Sequence, residues 1–221
     1  GEGGGLADAD PSFGLPATRD YVEQRHMTHF NVFGAAPTGH GMAEWHNALQ
    51  GLAASTRLGI PVTLSTDPRH SFSENPGAAI FAGPFSQWPE TLGLAAIRDE
   101  ELVEQFGDIA RQEYLAVGIR VALHPQIDLA TEPRWARQLA TFGEDADLTG
   151  RLGAAYIRGF QGATLGADSV ATMTKHFPGG GPQLDGEAPH FEYGREQVYP
   201  GGEFDLPLTP FEAAFAAGTS Q

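Results

Sequence analysis

The sequence lacks cysteine altogether: none occurs among its 221 residues. Disulfide bonds, thiolate nucleophiles and cysteine-ligated zinc are therefore excluded, but the compartment is not fixed, because secreted proteins can also lack cysteine. No apolar run is long enough to cross a bilayer, so we expect no membrane-spanning segment. The chain opens with GEGGGLADADP rather than with Met or a signal peptide, which indicates that it starts within a longer gene product.

Basic residues are also scarce. The chain has 13 Lys and Arg against 28 Asp and Glu, which gives a net charge of -15. Nucleic-acid binding requires clustered Lys and Arg, and no cluster is visible, so a nucleic-acid partner is excluded. A neutral or cationic partner fits better, and sugars are neutral. Hydrophobic residues make up 41% of the chain, enough for the core of one sizeable domain.

The periodicity divides the chain into an N-terminal segment and a folded domain. Residues 1–20 are rich in Gly, Asp and Pro and show no periodicity, which predicts a flexible arm or linker. Over residues 21–221, buried strands alternate with amphipathic helices. The predicted strands are 26–33, 61–66, 119–125 and 168–174. Apolar stripes predict helices over 42–56, 102–117, 148–160 and 210–218, the second beginning with Asp99, Glu100 and Glu101 and stopped by Gly118.

This alternation predicts an α/β fold with a parallel sheet. Polar residues follow the strands, namely Asp67, Asp128, Lys175 and His176, and the carboxyl-terminal face of a (β/α)8 barrel is where such residues gather. A barrel is therefore favoured, and a doubly wound open sheet is the alternative, although no G-x-G-x-x-G follows the first strand.

The number of units indicates only part of a TIM-type barrel. We find the first four to five βα units, with a fifth strand expected near Ser220. Four or five parallel strands leave an edge with unpaired backbone groups. We therefore expect the remainder of the same polypeptide, or a second chain, to complete the barrel.

The strongest local motif is TKHFPGGGPQLDGEAPH, residues 174–190. Adjacent strand residues face opposite ways, so Lys175 and His176 reach one ligand only if the strand ends or bulges there, as the Pro-Gly run suggests. Their donors would suit a ring of vicinal hydroxyls. The alternative is a lysine at a strand end and a histidine that caps a loop.

The second motif, STDPRH, places Asp67 at the end of an apolar strand. A carboxylate there could accept two sugar hydroxyls. The alternative is an Asx-turn, because Asp before Pro often starts a turn.

The third motif, ATEPRWARQLATFGED, places Arg134 and Arg137 around Trp135. Arginine next to an aromatic ring suits sugar binding. A salt bridge of either arginine to Glu132, Glu144 or Asp145 is the alternative.

Taken in order, IPVTLSTDPRH, PRWARQLATFGED and KHFPGGGPQLDGE resemble family 3 glycoside hydrolases of the β-glucosidase type, and AEWHNALQGLA also fits. The likeness runs from about residue 25 to the end. It implies that Asp67, Arg137, Lys175 and His176 bind the hydroxyls of the non-reducing sugar of a small carbohydrate substrate. It also implies retaining, exo-acting hydrolysis of O-glycosyl bonds by an Asp nucleophile and a Glu acid/base, with no cofactor and no metal.

The sequence departs from the family pattern at Ala136, Ala140 and Ala188, where Gly, Glu and Asp are usual. It also contains no Ser-Asp dipeptide, and its tryptophans follow Glu, Gln and Arg, so the Ser-Asp-Trp-like motif of the family nucleophile is not found. We therefore assign no catalytic residue here and expect both catalytic carboxylates beyond Gln221.

Three alternatives stay open. In the N-acetylhexosaminidase branch of the family, a His occupies the position of Gly180 and Asp-Ser-His follows; here only His190 is a candidate, and Pro189 precedes it. A metal-dependent barrel hydrolase could use Lys175, but it needs His-x-His on the first strand, whereas His26 and His29 face opposite sides. The third alternative is a sugar-binding fragment without catalytic activity.

Overall fold

The structure, a computed structural model, describes residues 5–10, 14–34, 36–72, 80 and 82–221. Its strands are β1 (His29–Asn31), β2 (Thr63–Thr66), β3 (Ile119–Ala122) and β4 (Ala171–Thr172). Its α-helices are α1 (Thr18–Glu23), α2 (Gly39–Ser55), α3 (Thr91–Ile97), α4 (Glu100–Ala116), α5 (Ala146–Gln161) and α6 (Thr209–Ala216). The four predicted strands and the four predicted helices are thus present, with shorter strands than predicted because the apolar runs include residues of the loops before or after each strand.

The strands form one parallel sheet in the order β1-β2-β3-β4. His29 lies opposite Thr63, Leu64 opposite Ile119, and Val121 opposite Ala171. A doubly wound sheet reverses its strand order at a switch point, whereas this order follows the chain without reversal, as in a barrel. The predicted parallel α/β arrangement is confirmed.

The last residue of the chain extends the sheet beyond β4. The backbone N–H of Gln221 donates to the carbonyl of Thr172 at 3.1 Å, and the carbonyl of Gln221 accepts from the N–H of Thr174 at 2.9 Å. This alternation is the pattern of a parallel ladder. It lies where the fifth strand was predicted.

Helices α4 and α5 pack closely because glycine faces glycine at their crossing. A Cβ on Gly159 would lie 2.4 Å from the carbonyl oxygen of Glu104 and 2.8 Å from the Cα of Gly107. Neither distance is tolerable between backbones, so a larger residue at position 159 would push the helices apart. The close approach lets Phe106, Tyr114, Tyr156 and Phe160 form one buried aromatic cluster against the sheet.

The ends of α4 follow the predicted signals. Asp99 caps the helix by accepting the N–H of Leu102 at 3.0 Å, which satisfies a donor that has no intrahelical partner. After the helix, Gly118 has a φ of +84°, and a Cβ there would meet the ring of His46 at 2.3 Å. Glycine is thus required at this stop for both its backbone conformation and its size.

The described part of the segment 1–20 includes a residue that packs against the core. Leu6 packs against the core, and its carbonyl accepts the N–H of Arg19 at 2.9 Å, while α1 crosses the predicted boundary at residue 20. The division between an arm and a domain stays a prediction. Helices α1 and α3 were not predicted, because both are short. No helix among the described residues is long and apolar enough to span a membrane.

Candidate functional site

Asp67 follows β2 directly, and its carboxylate binds one side chain from β1 and one that follows β4. Its Oδ1 lies 2.9 Å from Nζ of Lys175, and its Oδ2 accepts from Nδ2 of Asn31 at 3.2 Å. Asn31 ends β1 and Lys175 follows β4, so the three side chains come from three strands at the carboxyl-terminal edge of the sheet. Both contacts of the Asp67 carboxylate thus lie at this edge, where the site was predicted.

Lys175 and His176 lie beyond the end of β4, joined by a cis peptide bond, and both side chains reach the site. The ring of His176 binds Asp128 through Nδ1 at 2.7 Å and Arg137 through Nε2 at 3.3 Å. Its side chain is 41% exposed. Lys175 still forms one isolated parallel bridge with Gln126, and His176 lies just past it, so the alternation of strand neighbours does not extend to His176.

The two arginines of the third motif have different surroundings. Arg134 is exposed and pairs in a bidentate way with Glu132, at 2.9 and 3.0 Å, and also with Asp185. These hydrogen bonds hold the pKa of Glu132 down at about 2. Arg134 therefore forms the salt bridge to Glu132 that was the alternative to a role in sugar binding.

Arg137 instead points to the site. Burial lowers the pKa of its guanidinium, while the negative charges of Asp128 and Asp67 act in the opposite direction. Its Nε is buried and has no hydrogen-bond partner among the described residues. Trp135, between the two arginines, is only 3% exposed and packs in the interior. Its ring is therefore not available to contact a sugar.

The structure therefore brings all four predicted site residues together: Asp67, Arg137, Lys175 and His176. Together with Asp128, these residues supply two carboxylates, one lysine and one arginine, so their formal charges cancel. A site of this kind offers many donors and acceptors without strong net charge, which suits a neutral, hydroxyl-rich ligand. Among the described residues, no group of three or more His, Asp or Glu side chains is arranged to hold a metal ion.

The loop that carries Asp67 is anchored to α4 by a residue that sequence reasoning missed. His70 is 3% exposed, and its Nε2 lies 2.8 Å from Oε2 of Glu113, which also accepts the N–H of Ser86. Burial raises the pKa of Glu113, but these hydrogen bonds outweigh it and hold the pKa below its ordinary value. A small cavity beside His70, lined also by Pro68 and Phe106, contains none of the four predicted site residues.

The strand that leads to Asp128 is anchored by a second buried histidine. His124 binds the hydroxyl of Tyr156 through Nδ1 at 2.5 Å and that of Tyr114 through Nε2 at 3.2 Å. Burial, and then the charges of Lys175 and His70, hold the pKa of His124 well below its ordinary value. The imidazole thus ties β3 to both α4 and α5. No sequence motif marks this contact, because its partners are 10 and 32 residues away.

Comparison with known proteins shows which family the chain resembles. The family model of the glycosyl hydrolase family 3 N-terminal domain matches residues 17–221. β-Glucosidase C from Emericella nidulans is 57% identical over 206 residues, which cover 93% of this chain and 33% of that protein. A periplasmic β-glucosidase/β-xylosidase from Dickeya chrysanthemi is 46% identical over 216 residues, with 97% and 33% covered. The chain thus spans about one third of the length of these relatives.

Solved structures give the same fold. A β-glucosidase mutant from Listeria innocua in complex with laminaribiose matches with a TM-score of 0.63 at 26% identity, over 83% of this chain and 23% of that chain. A β-N-acetylhexosaminidase from Beutenbergia cavernae matches with a TM-score of 0.75 at 22% identity, over 98% and 62%; this second likeness shows the fold alone. The predicted partial TIM-type barrel is confirmed. From the family model and the two close relatives, the chain belongs to glycoside hydrolase family 3.

Proposed function

We propose that the protein is a retaining, exo-acting β-glucosidase-type hydrolase and that this chain supplies the sugar-binding half of its active site. The observation that carries the proposal is the convergence of Asp67, Arg137, Lys175 and His176, from three separate sequence motifs, at one edge of the sheet. The names of the close relatives, β-glucosidase and β-glucosidase/β-xylosidase, support this activity over that of the hexosaminidase branch. His190, the one candidate for that branch, lies exposed in a loop.

The unused hydrogen-bonding capacity of the site fits a non-reducing terminal sugar. A carboxylate has about four acceptor positions, and among the described residues Asp67 uses one on Lys175 and one on Asn31. It can therefore accept two vicinal hydroxyls while it keeps both contacts. Lys175 has three donors and uses one on Asp67, so the others can donate to the same hydroxyls. Each sugar hydroxyl would both donate and accept.

The catalytic pair is proposed to come from residues outside this chain. Retaining hydrolysis uses a nucleophilic carboxylate and an acid/base carboxyl about 5–5.5 Å apart. Within the chain, Asp128 is fully buried and bound to His176, while Asp67 is bound to Lys175. Both carboxylates thus have positioning or binding contacts. The role of the four site residues is to hold the sugar so that its anomeric carbon meets the catalytic pair.

A screen of nitrophenyl glycosides on the full-length protein tests the proposal. We expect turnover of β-glucosides or β-xylosides, with a first-formed product that keeps the β configuration in ¹H NMR spectra. An inverted product would contradict the retaining mechanism. Measurement of sugar binding in parallel separates an enzyme from a sugar-binding protein, because binding without turnover of any glycoside would contradict the hydrolase assignment.

A further inference from the structure

We propose that Asp128 is a positioning residue that holds the ring of His176 with its proton on Nδ1, so that the lone pair of Nε2 faces the site. Asp128 is 0% exposed, although it is ionisable. An aspartate at such a position needs several donors to offset the loss of water. It has three: the ring Nδ1 of His176 at 2.7 Å, the backbone N–H of His176 at 3.0 Å, and the N–H of Gly180 at 2.5 Å.

The two oxygens of Asp128 have separate tasks. Oδ1 accepts both backbone N–H groups and so fixes the start of the glycine-rich loop, whereas within the part of the chain that the structure describes Oδ2 binds only the imidazole. Gly180 leaves room for this arrangement, because a Cβ there would already lie 3.2 Å from Oδ1. The loop and the ring are thus held by one buried carboxylate through different atoms. The two tasks can therefore be separated by a change at Oδ2 alone.

The position of the proton follows from the partners of the ring. Arginine can only donate hydrogen bonds, and NH1 of Arg137 lies 3.3 Å from Nε2 of His176. Nε2 must therefore be the acceptor, and Nδ1 must carry the proton that is donated to Asp128. A carboxylate can only accept, so both partners of the imidazole require the same tautomer.

This arrangement fixes the direction of hydrogen bonds in the site. On the basis of the proposed function, a sugar hydroxyl that takes the place of Arg137 at the one lone pair of His176 Nε2 must donate its proton, whereas one that meets Lys175 must accept. Asp128 would thus act on the substrate through His176, without touching it. Loss of the Oδ2 contact would let the ring rotate or take the other tautomer, with Nε2 then donating.

The test is a double-mutant cycle in the full-length protein. In Asp128→Asn the remaining oxygen can still accept the two backbone N–H groups, but an amide NH₂ replaces the acceptor for Nδ1. We expect this change to lower kcat/KM about tenfold or more when His176 is present, and less than about threefold in a His176→Ala background, since residues in one hydrogen-bond network are not additive. Asp185→Asn, the same chemical change in the glycine-rich loop that Asp128 contacts, at a side chain 62% exposed, is the matched control and should change kcat/KM less than twofold.

The tautomer of His176 can also be measured directly by NMR in the wild-type protein, so this test depends neither on catalysis nor on the stability of a variant. In ¹⁵N-histidine-labelled wild-type protein, with the signals of His176 identified by their loss in His176→Ala, we expect a protonated Nδ1 and an unprotonated Nε2. A proton on Nε2 with a bare Nδ1 would overturn the proposal, as would an equal effect of Asp128→Asn in both backgrounds. Protein that shows the expected tautomer but hydrolyses no glycoside would contradict the proposed function while leaving the role of Asp128 intact.

Discussion

The ammonium of Lys175 lies 2.9 Å from the carboxylate of Asp67, although 108 positions separate them in the sequence. The two side chains are only 17% and 23% exposed, so their attraction is less screened by water and salt than that of a surface pair. Because β2 and β4 are parallel and end at the same edge, the fold brings the pair together without a loop that must reach across. Each group thereby holds the other in position for a ligand.

Replacement of Asp67 by Ala in the full-length protein is expected to lower kcat/KM about 100-fold or more, because a charged acceptor is lost and Lys175 is left unpaired. Lys175→Ala should act in the same direction, and the double variant should lose less than the product of the two single effects. Initial-rate measurements on the best nitrophenyl glycoside check this. Asp147→Ala, at an exposed position, is the control. A fall of less than about tenfold for Asp67→Ala would refute its binding role.

The two arginines of the third motif provide a matched pair. Arg137→Ala removes a buried guanidinium from the site and should raise KM and lower kcat/KM about tenfold or more. Arg134→Ala removes an exposed guanidinium that pairs with Glu132 and Asp185, and surface pairs of this kind contribute little. We expect less than a threefold change for Arg134→Ala. Equal effects of the two variants would show that Arg137 has no special contact with the substrate.

The buried His124 should make stability fall as the pH is lowered. Its pKa is held well below 6.5 in the folded state, first by burial, whereas the unfolded chain takes up the proton near pH 6.5. Below that pH the unfolded state binds more protons, so the free energy of unfolding decreases by up to about 1.4 kcal/mol per pH unit. Stability is fully retained above pH 6.5 and is lost from there down towards the lowered pKa.

Denaturant unfolding of the full-length protein between pH 5 and pH 7 measures this dependence. His124→Gln should be less stable at pH 7 but should lose less stability than the wild type as the pH is lowered. His190→Gln, which changes an exposed histidine, should keep the wild-type slope. If His124→Gln also kept that slope, the imidazole would not be the responsible group.

Local patterns were sufficient for the four strands and for helices α2, α4, α5 and α6, whereas the four site residues were assigned from the resemblance to the family motifs. Asp99 and Gly118 mark the ends of α4 by short-range rules, and parallel strands place the residues that follow them at one edge, so the sequence predicts that Asp67 and Lys175 lie close together. The separation of Arg137 from Arg134 could not be predicted, since both flank Trp135 and either could reach an acid. Burial of one and exposure of the other depend on the whole loop.

The supporting contacts depend on tertiary packing for a similar reason. His70 and Glu113 are 43 residues apart, and His124 and Tyr156 are 32 apart, so no local spacing relates them. Asp128 was placed at the correct edge of the sheet, but its three donors come from a loop about 50 residues later. Asn31 carried a usable signal, because it is a polar residue at the end of an apolar strand, as Asp67 is.

The 221-residue chain expressed alone is expected to hydrolyse no nitrophenyl glycoside above the buffer rate. Asp128 is fully buried and Asp67 is paired with Lys175, while Glu132, with a pKa of about 2, stays ionised and cannot act as a general acid near neutral pH. These acids therefore do not supply the proton donor and nucleophile that retaining hydrolysis needs about 5–5.5 Å apart. The measurement is a long-incubation assay with the full-length protein as the positive control. Turnover by the isolated chain, abolished when one of its own carboxylates is replaced, would show that the catalytic pair lies within these residues.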